Sequence, residues 1–193
     1  MKIMKTQENI IGGYAPDFEI PGIDKEVYHL GTYRQKFKAI AVVFMDNESP
    51  EVHQYIDRLN QIQAEFASQG FTLMGLDSNY RAEAIADSLT SMKKFAEENN
   101  LSFPYLRDPT QDVAKSFKAK VIPTVFLLDD NAIIRYAGQI DDAPESDKAV
   151  SNSYLRDNIT NLLTRKAIAT DYVEPVGSPI QWRPTLRTSR GSF

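Results

Sequence analysis

The sequence contains no cysteine among its 193 residues. Disulfide bonds, thiolate metal ligands and thiol nucleophiles are therefore excluded. Histidine is also scarce. The chain has two histidines, and they do not lie at the close spacing that is typical of zinc sites. Since no apolar run approaches the ~20 residues that cross a bilayer, and none follows the charged start of the chain, we expect no membrane span, no cleaved leader and a cytoplasmic location.

Acidic residues are absent from the end of the chain. The net charge is −4, yet the segment 175–193 has three arginines, Arg183, Arg187 and Arg190, and no acid. Without those three charges the chain carries −7. An acidic body lacks the clustered lysine and arginine of nucleic-acid-binding proteins, so we expect no nucleic-acid partner. The balance of 42% hydrophobic and 25% charged residues is typical of one globular domain.

The order of hydrophobic patterns predicts an α/β fold. Continuous apolar runs indicate buried strands, alternation indicates a half-exposed strand, and three- to four-residue periods indicate amphipathic helices. The predicted elements are, in order, a hairpin of strands at 18–20 and 27–30, a central strand at 39–44, a helix at 49–69, a strand at 71–76, a helix at 88–100, an extended piece at 103–106, a short helix at 112–117, a hairpin of strands at 124–128 and 133–138, and a closing helix at 155–163.

This order resembles the thioredoxin fold. Local motifs, among them Gly13-Tyr14-Ala15-Pro16-Asp17-Phe18 and Ile122-Pro123-Thr124, are similar to those of its peroxiredoxin-like group, the alkyl hydroperoxide reductase and thiol-specific antioxidant proteins. The resemblance runs from about Gly12 to Pro184. It implies a three-layer α/β fold with a central mixed sheet flanked by helices, an N-terminal hairpin extension and an extended C-terminal tail. We expect an N-terminal segment at 1–11, a thioredoxin-like domain at 12–168 and a basic tail at 169–193.

The same resemblance shows where cysteine is missing. One bacterial subgroup commonly has Cys-Asn-His-Cys-Pro after the central strand and a Gly-Cys segment before a C-terminal tryptophan. Here the corresponding residues are Asp46-Asn47-Glu48-Ser49-Pro50, and Gly177-Ser178 before Trp182. A serine hydroxyl is hardly ionised near neutral pH and forms no disulfide, so it does not replace either cysteine. The resemblance therefore implies the fold without the thiol reaction, and we expect no catalytic residue, no cofactor and no metal.

The altered loop precedes the N-terminus of the predicted helix at 49–69. The positive end of a helix dipole favours nearby carboxylates by about 0.3–1 kcal/mol each, so Asp46 and Glu48 suit this position. Either Asp46 or Ser49 can cap the helix, and Pro50 fits its first turn. The loop residues are thus compatible with stability as well as with chemistry.

Two further regions are candidate contact sites. The resemblance implies that Pro123 is cis and that Ile122-Pro123-Thr124 forms a peptide-docking edge opposite the loop. The alternative is that Pro123 only shapes the start of a hairpin. In the tail, Trp182, Arg183, Arg187 and Arg190 could contact a partner, because tryptophan and arginine are favoured at interfaces. Alternatively, Trp182 packs back on the domain.

The leading hypothesis is a redox-inactive, thioredoxin-like protein that binds another protein, of unknown identity. An enzyme of other chemistry, with loop carboxylates and His53 as metal ligands or as acid and base, is the alternative. A homo-oligomer, or a mixed complex with a cysteine-bearing paralogue, is a third. Ser49, His53 and Asp57 imitate a hydrolase triad by their four-residue spacing, but such a stripe is better interpreted as a solvated helix face. The acidic stretch 141–147 is interpreted as a solvated loop, or as a site for a cation.

Overall fold

A computed structural model of the protein describes residues 10–184. The elements are β1 (Glu19–Pro21), β2 (Val27–His29), α1 (Leu30–Tyr33), β3 (Ala39–Phe44), α2 (Pro50–Phe66), β4 (Phe71–Asp77), α3 (Ile85–Glu98), β5 (Tyr105–Arg107), α4 (Asp112–Ser116), β6 (Val121–Ile122), β7 (Thr124–Asp129), β8 (Ile134–Gly138), α5 (Tyr154–Leu163) and β9 (Ser178–Pro179). Within this described part, no helix has the length and apolar character to cross a bilayer.

The central sheet has five strands in the order β5-β4-β3-β7-β8. Strand β3 is parallel to β4, β4 is parallel to β5, and the β7–β8 hairpin adds antiparallel to β3. β1 and β2 form a separate antiparallel hairpin, and β6 pairs with β9. The mixed sheet and the N-terminal hairpin confirm the predicted fold class.

The strand β3 divides the core into two layers because its side chains alternate between the sheet faces. Ala41 and Val43 belong to a cluster with apolar residues of α2, α3 and α5. Val42 and Phe44 belong to a second cluster, which includes residues of β1, α1 and α4. All six residues of β3 are buried, which explains its uninterrupted apolar sequence.

Helix α2 begins and ends as its sequence predicts. Ser49 is the N-cap, with its Oγ accepting a hydrogen bond from the Val52 N–H at 3.3 Å, and Pro50 occupies the first turn. A 3₁₀ turn at Ala67–Gln69 continues the helix to Gly70, whose φ of 93° is a conformation that favours glycine. Of the two predicted caps, the structure therefore selects Ser49.

The differences from the predicted elements are short pieces and boundaries. Helix α3 begins at Ile85 rather than near residue 88, with no side-chain cap to mark its start. Helix α1 and strands β6 and β9 were not predicted, since elements of two to four residues are too short to show a period. Arg187 and Arg190 lie outside the described residues, so their predicted contacts stay predictions.

Candidate functional site

The loop 45–50 lies at the carboxyl end of β3, where the ends of the parallel strands β4 and β5 also meet. Strand β7 runs antiparallel to β3, and its first residue, Thr124, pairs with Phe44. This register places Pro123 beside the loop. The peptide bond between Ile122 and Pro123 is cis, which confirms that prediction. The fold thus brings the loop and the Pro123 segment to one face.

Asp46, which the resemblance aligns with the subgroup's first cysteine, is a buried carboxylate that is only 5% exposed. Its Oδ1 accepts hydrogen bonds from Arg81 Nη2 at 2.6 Å and from the Glu48 N–H at 2.8 Å. Its Oδ2 accepts a hydrogen bond from Asn79 Nδ2. Both oxygens of Asp46 are therefore engaged within the chain.

Arg81 holds three carboxylates together. Besides Asp46, it contacts Asp77 Oδ2 at 3.1 Å and Glu48 Oε1 at 2.6 Å. Burial opposes the charge of the Arg81 guanidinium, but Asp77 and Asp46 outweigh that effect and raise its pKa. Arg81 is thus a permanently charged group in contact with two loop carboxylates, Asp46 and Glu48.

A second arginine completes this buried charge cluster, which we define as Asp46, Asp77, Arg81 and Arg107. Arg107 Nη1 lies 3.1 Å from Asp77 Oδ1, and its Nη2 donates to the Asn79 carbonyl at 2.8 Å. Burial raises the pKa of Asp77, against the lowering effect of the Arg107 charge. Two carboxylates and two guanidinium groups are thus largely withdrawn from water beside the loop.

Sequence reasoning missed Asp77, Arg81 and Arg107. Two of them carried a signal, because Asp77 ends β4 and Arg107 ends β5. Charged residues that close buried parallel strands meet at the sheet edge where α/β proteins place their sites. Arg81 carried no such signal, since it lies in a loop between β4 and α3 and only the tertiary structure brings it to Asp46.

Ser49 and Ser178, which the resemblance aligns with two further cysteines, are joined by one carboxylate. Ser49 Oγ donates to Glu51 Oε2 at 2.9 Å, and Ser178 Oγ donates to Glu51 Oε1 at 2.7 Å. These bonds, with the Ser178 bond as the largest cause, lower the pKa of Glu51. The structure therefore brings Asp46, Ser49 and Ser178 to one site in which oxygen atoms stand in place of sulfur.

The remaining loop residues do not assemble a hydrolase triad. His53 Nε2 lies 2.8 Å from the Asn47 carbonyl oxygen, and its ring packs at 5.1 Å from that of Phe95. The Ser49 hydroxyl donates to Glu51 rather than to His53. Residues 10–184 contain no group of three or more histidine, aspartate or glutamate side chains arranged to hold a metal ion. His53 and Asp57 are exposed, as expected for a solvated helix face, but Ser49 is buried.

The Pro123 edge is covered by the chain itself. Ile122, Pro123 and Thr124 are all buried, and Ile122 pairs with Ser178 in the short β6–β9 ladder. Thr124 Oγ1 donates to the Val121 carbonyl at 2.6 Å. Beside Pro123 a groove of about 450 Å³ opens to solvent, with Tyr55, Ile140 and Val176 among its lining residues.

The described part of the tail crosses the same face. Trp182 is 42% exposed, so it leaves much of its ring available to a partner. Arg183 Nη2 donates to the Pro109 carbonyl at 3.2 Å, and the guanidinium carbon lies 5.8 Å from the centre of the Tyr80 ring. These two predicted contact residues therefore lie beside the candidate site.

The structure changes the interpretation of the acidic stretch 141–147 as a solvated loop. Asp141 is buried and accepts a hydrogen bond from Arg58 Nη1 at 2.5 Å, while Asp147 Oδ1 lies 2.6 Å from Arg58 Nε. The stretch is therefore not wholly a solvated loop, because the cation that it binds is the protein's own Arg58.

The sequence matches one protein-family model and several known proteins. Residues 11–137 match the model of the AhpC/TSA family. The thiol-disulfide oxidoreductases ResA of Geobacillus kaustophilus and Geobacillus thermodenitrificans are 23% and 22% identical, over 65% of this chain and 67% of each relative.

Solved structures show the same fold. A hypothetical protein from Sinorhizobium meliloti is 30% identical, with a TM-score of 0.82 over 91% of this chain and 96% of that one. An uncharacterized conserved protein from Geobacillus kaustophilus is 29% identical, with a TM-score of 0.83 over 91% and 93%. The peroxidoxin BcpB of Mycobacterium tuberculosis is 17% identical, with a TM-score of 0.61 over 80% and 96%.

Proposed function

Because the chain belongs to the AhpC/TSA family yet has no cysteine, we propose that it is a redox-inactive member that acts by binding another protein. The observation that carries the proposal is the replacement of sulfur by engaged oxygen groups. Asp46 is bound by Arg81, and Ser49 and Ser178 are bound by Glu51, while the cis peptide bond before Pro123 is retained. The chain thus has the thioredoxin-like fold without any cysteine that could carry out thiol chemistry.

The binding face in this proposal comprises the loop 46–50, Pro123 and the C-terminal residues 176–183. Several of its side chains are open to a partner, since Glu48 is 69% and Val176 is 70% exposed. Trp182 adds an aromatic surface of the kind enriched at protein interfaces. The relatives named thiol-disulfide oxidoreductase motivate a protein partner, because such enzymes act on disulfides. The partner's identity and the cytoplasmic location stay predictions.

The alternative of an enzyme with carboxylate chemistry is less favoured by the geometry. Asp46 is only 5% exposed and accepts hydrogen bonds from Arg81, Asn79 and the Glu48 N–H, so a substrate has little access to its oxygens for proton transfer. A general acid or base needs hydrogen-bond reach to the proton that it moves. Protein binding makes no such demand on the buried groups.

Site-specific photo-cross-linking in the native host tests the proposal. One variant carries the cross-linker at Val176, on the proposed face, and its matched control carries it at Lys94, which is 75% exposed on α3. We expect a defined protein adduct from Val176 that is absent from Lys94 and is lost when Trp182→Ala and Glu48→Ala are added. Identical adducts from both positions, or none from Val176, would contradict binding at this face.

A further inference from the structure

The C-terminal residues 177–183, here called the strap, cover the strand edge next to Pro123. Ser178 and Pro179 pair antiparallel with Ile122 and Val121, and the Ile180 N–H donates to the Lys120 carbonyl at 2.9 Å. Edge addition of this kind is how many proteins bind an extended peptide, because main-chain hydrogen bonds give affinity and side-chain pockets give specificity. The strap thus makes, within one chain, the pairing that a bound peptide would make.

Two strap residues fit the edge specifically. A Cβ atom on Gly177 would overlap the Ile122 carbonyl group, so only glycine allows the strap to approach this closely. Three residues later, Ile180 is 3% exposed and belongs to the same apolar cluster as Phe117 and Ile122. The edge therefore fits a segment that has glycine at the position of Gly177 and an aliphatic residue three positions later, at the position of Ile180.

The remaining strap contacts are polar, and at the C-terminal end the Arg183 N–H donates to Oε1 of the buried Gln111 at 2.8 Å. Ser178 Oγ donates to Glu51, and the Gln181 N–H donates to Asn79 Oδ1 at 2.8 Å. The Gln181 carbonyl accepts from the Tyr80 N–H and from Gln111 Nε2, both at 2.7 Å. Pro179, Gln181, Trp182 and Arg183 are exposed. The strap is thus a surface segment with a two-residue ladder and one buried apolar side chain.

We propose that the strap is an intramolecular ligand of the Val121–Ile122 edge, and that a partner strand pairs with this edge when the strap is released. The partner segment is extended, has glycine where the strap has Gly177 and has an aliphatic residue where the strap has Ile180. This inference rests on the proposed protein-binding function and names the chemistry of its partner. A tethered segment competes at a high effective concentration, so the strap also keeps the edge closed to unrelated strands.

The test uses the full chain and a labelled nonapeptide with the sequence of residues 175–183. The variant Gly177→Val prevents the strap from seating, because its side chain meets the Ile122 carbonyl. The matched control Lys94→Val changes an exposed side chain on α3 and leaves the strap in place. Peptide binding is measured by fluorescence anisotropy, and opening of the edge by hydrogen exchange at residues 120–122 and in the strap.

We expect the peptide to bind Gly177→Val at least about tenfold more tightly than it binds the wild type or Lys94→Val, because no tethered strap competes. We also expect a peptide with Ile180→Ser to lose that binding, and hydrogen exchange at the edge to rise in Gly177→Val alone. Equal binding by all three proteins, no binding by any of them, or full binding of the Ile180→Ser peptide would overturn the proposal.

If Gly177→Val does not fold, a chain with a specific protease site inserted after the exposed Val176 and cut after folding replaces it, with the same expected results. The experiment needs no natural partner. Failure of the photo-cross-linking test would therefore reject the proposed function while leaving this result to decide the role of the strap.

Discussion

On the loop side of the candidate site, Asp46 and Asp77 are held by the guanidinium groups of Arg81 and Arg107 in buried surroundings. On the Pro123 side, the strap is held by a two-residue ladder, partly buried hydrogen bonds to Glu51 and Gln111, and one buried isoleucine. Removing one partner of a buried ion pair leaves an uncompensated charge, whereas a surface segment can detach with the rest of the fold intact. The loop side is therefore a permanent part of the fold, and the strap side is the part that can open.

The largest expected effect is from Arg81→Met. This substitution leaves the carboxylates of Asp46 and Asp77 without their shared cation, so we expect the free energy of unfolding to fall by about 3–5 kcal/mol. The measurement is equilibrium denaturation in urea. Lys94→Met, which breaks an exposed pair with Glu98 at 3.8 Å, is the control and should cost no more than about 0.5 kcal/mol. Equal costs for both variants would contradict the stabilising role assigned to Arg81 in the buried charge cluster.

Ile180→Ala tests the strap side with a smaller expected effect. The loss of a buried aliphatic side chain usually costs about 2–5 kcal/mol, and we expect the lower end because the strap can detach instead of leaving a cavity. Hydrogen exchange should increase in the strap and at residues 120–122, but not in β3 or β4. Ile85→Ala, the same truncation of a 51% exposed isoleucine on α3, is the control. Exchange that increases throughout the sheet would show that the strap is an integral part of the core.

Ser49→Ala compares a helix cap with a strap contact. Ser49 caps α2 and also donates to Glu51, so its loss should cost about 1 kcal/mol in thermal or chemical unfolding. Ser178→Ala loses the hydrogen bond to Glu51 but no cap, so its cost should be smaller. A larger cost for Ser178→Ala than for Ser49→Ala would mean that the strap contributes more to stability than the helix cap does.

The smallest expected effect is a pH dependence carried by Glu51. Its pKa is lowered from 4.5 in the folded protein, so its ionised form contributes stability that is present above pH 4.5 and is lost as the pH falls through the folded pKa. The stability difference between the wild type and Glu51→Gln should therefore shrink as the pH falls below 4.5. Glu97→Gln, on the surface of α3, is the comparison. A difference that grows on acidification would contradict the assigned sign.

The strands and helices of the fold could be predicted from the sequence more completely than the residues of the candidate site. The apolar run at β3 and the periodicity of α2 appear where they were expected, because both patterns follow from burial on a sheet or along a helix face. Ser49 was one of two predicted caps. The charge cluster around Arg81 was not predicted, since it depends on a loop residue that the sheet topology brings to Asp46. The strap was expected only as an extended tail, because a two-residue ladder leaves no pattern in the sequence.

We expect that the oxygen groups at the loop leave this protein without thiol redox activity. The most direct test is turnover of a model disulfide and of hydrogen peroxide by the wild type and by the variant Asp46→Cys plus Ser49→Cys. We expect the buffer rate for the wild type and a higher rate for the variant, in which the Arg81 charge lowers the pKa of the first introduced thiol. Wild-type turnover that equals that of the variant and persists through repurification would show that the protein has redox activity without a thiol.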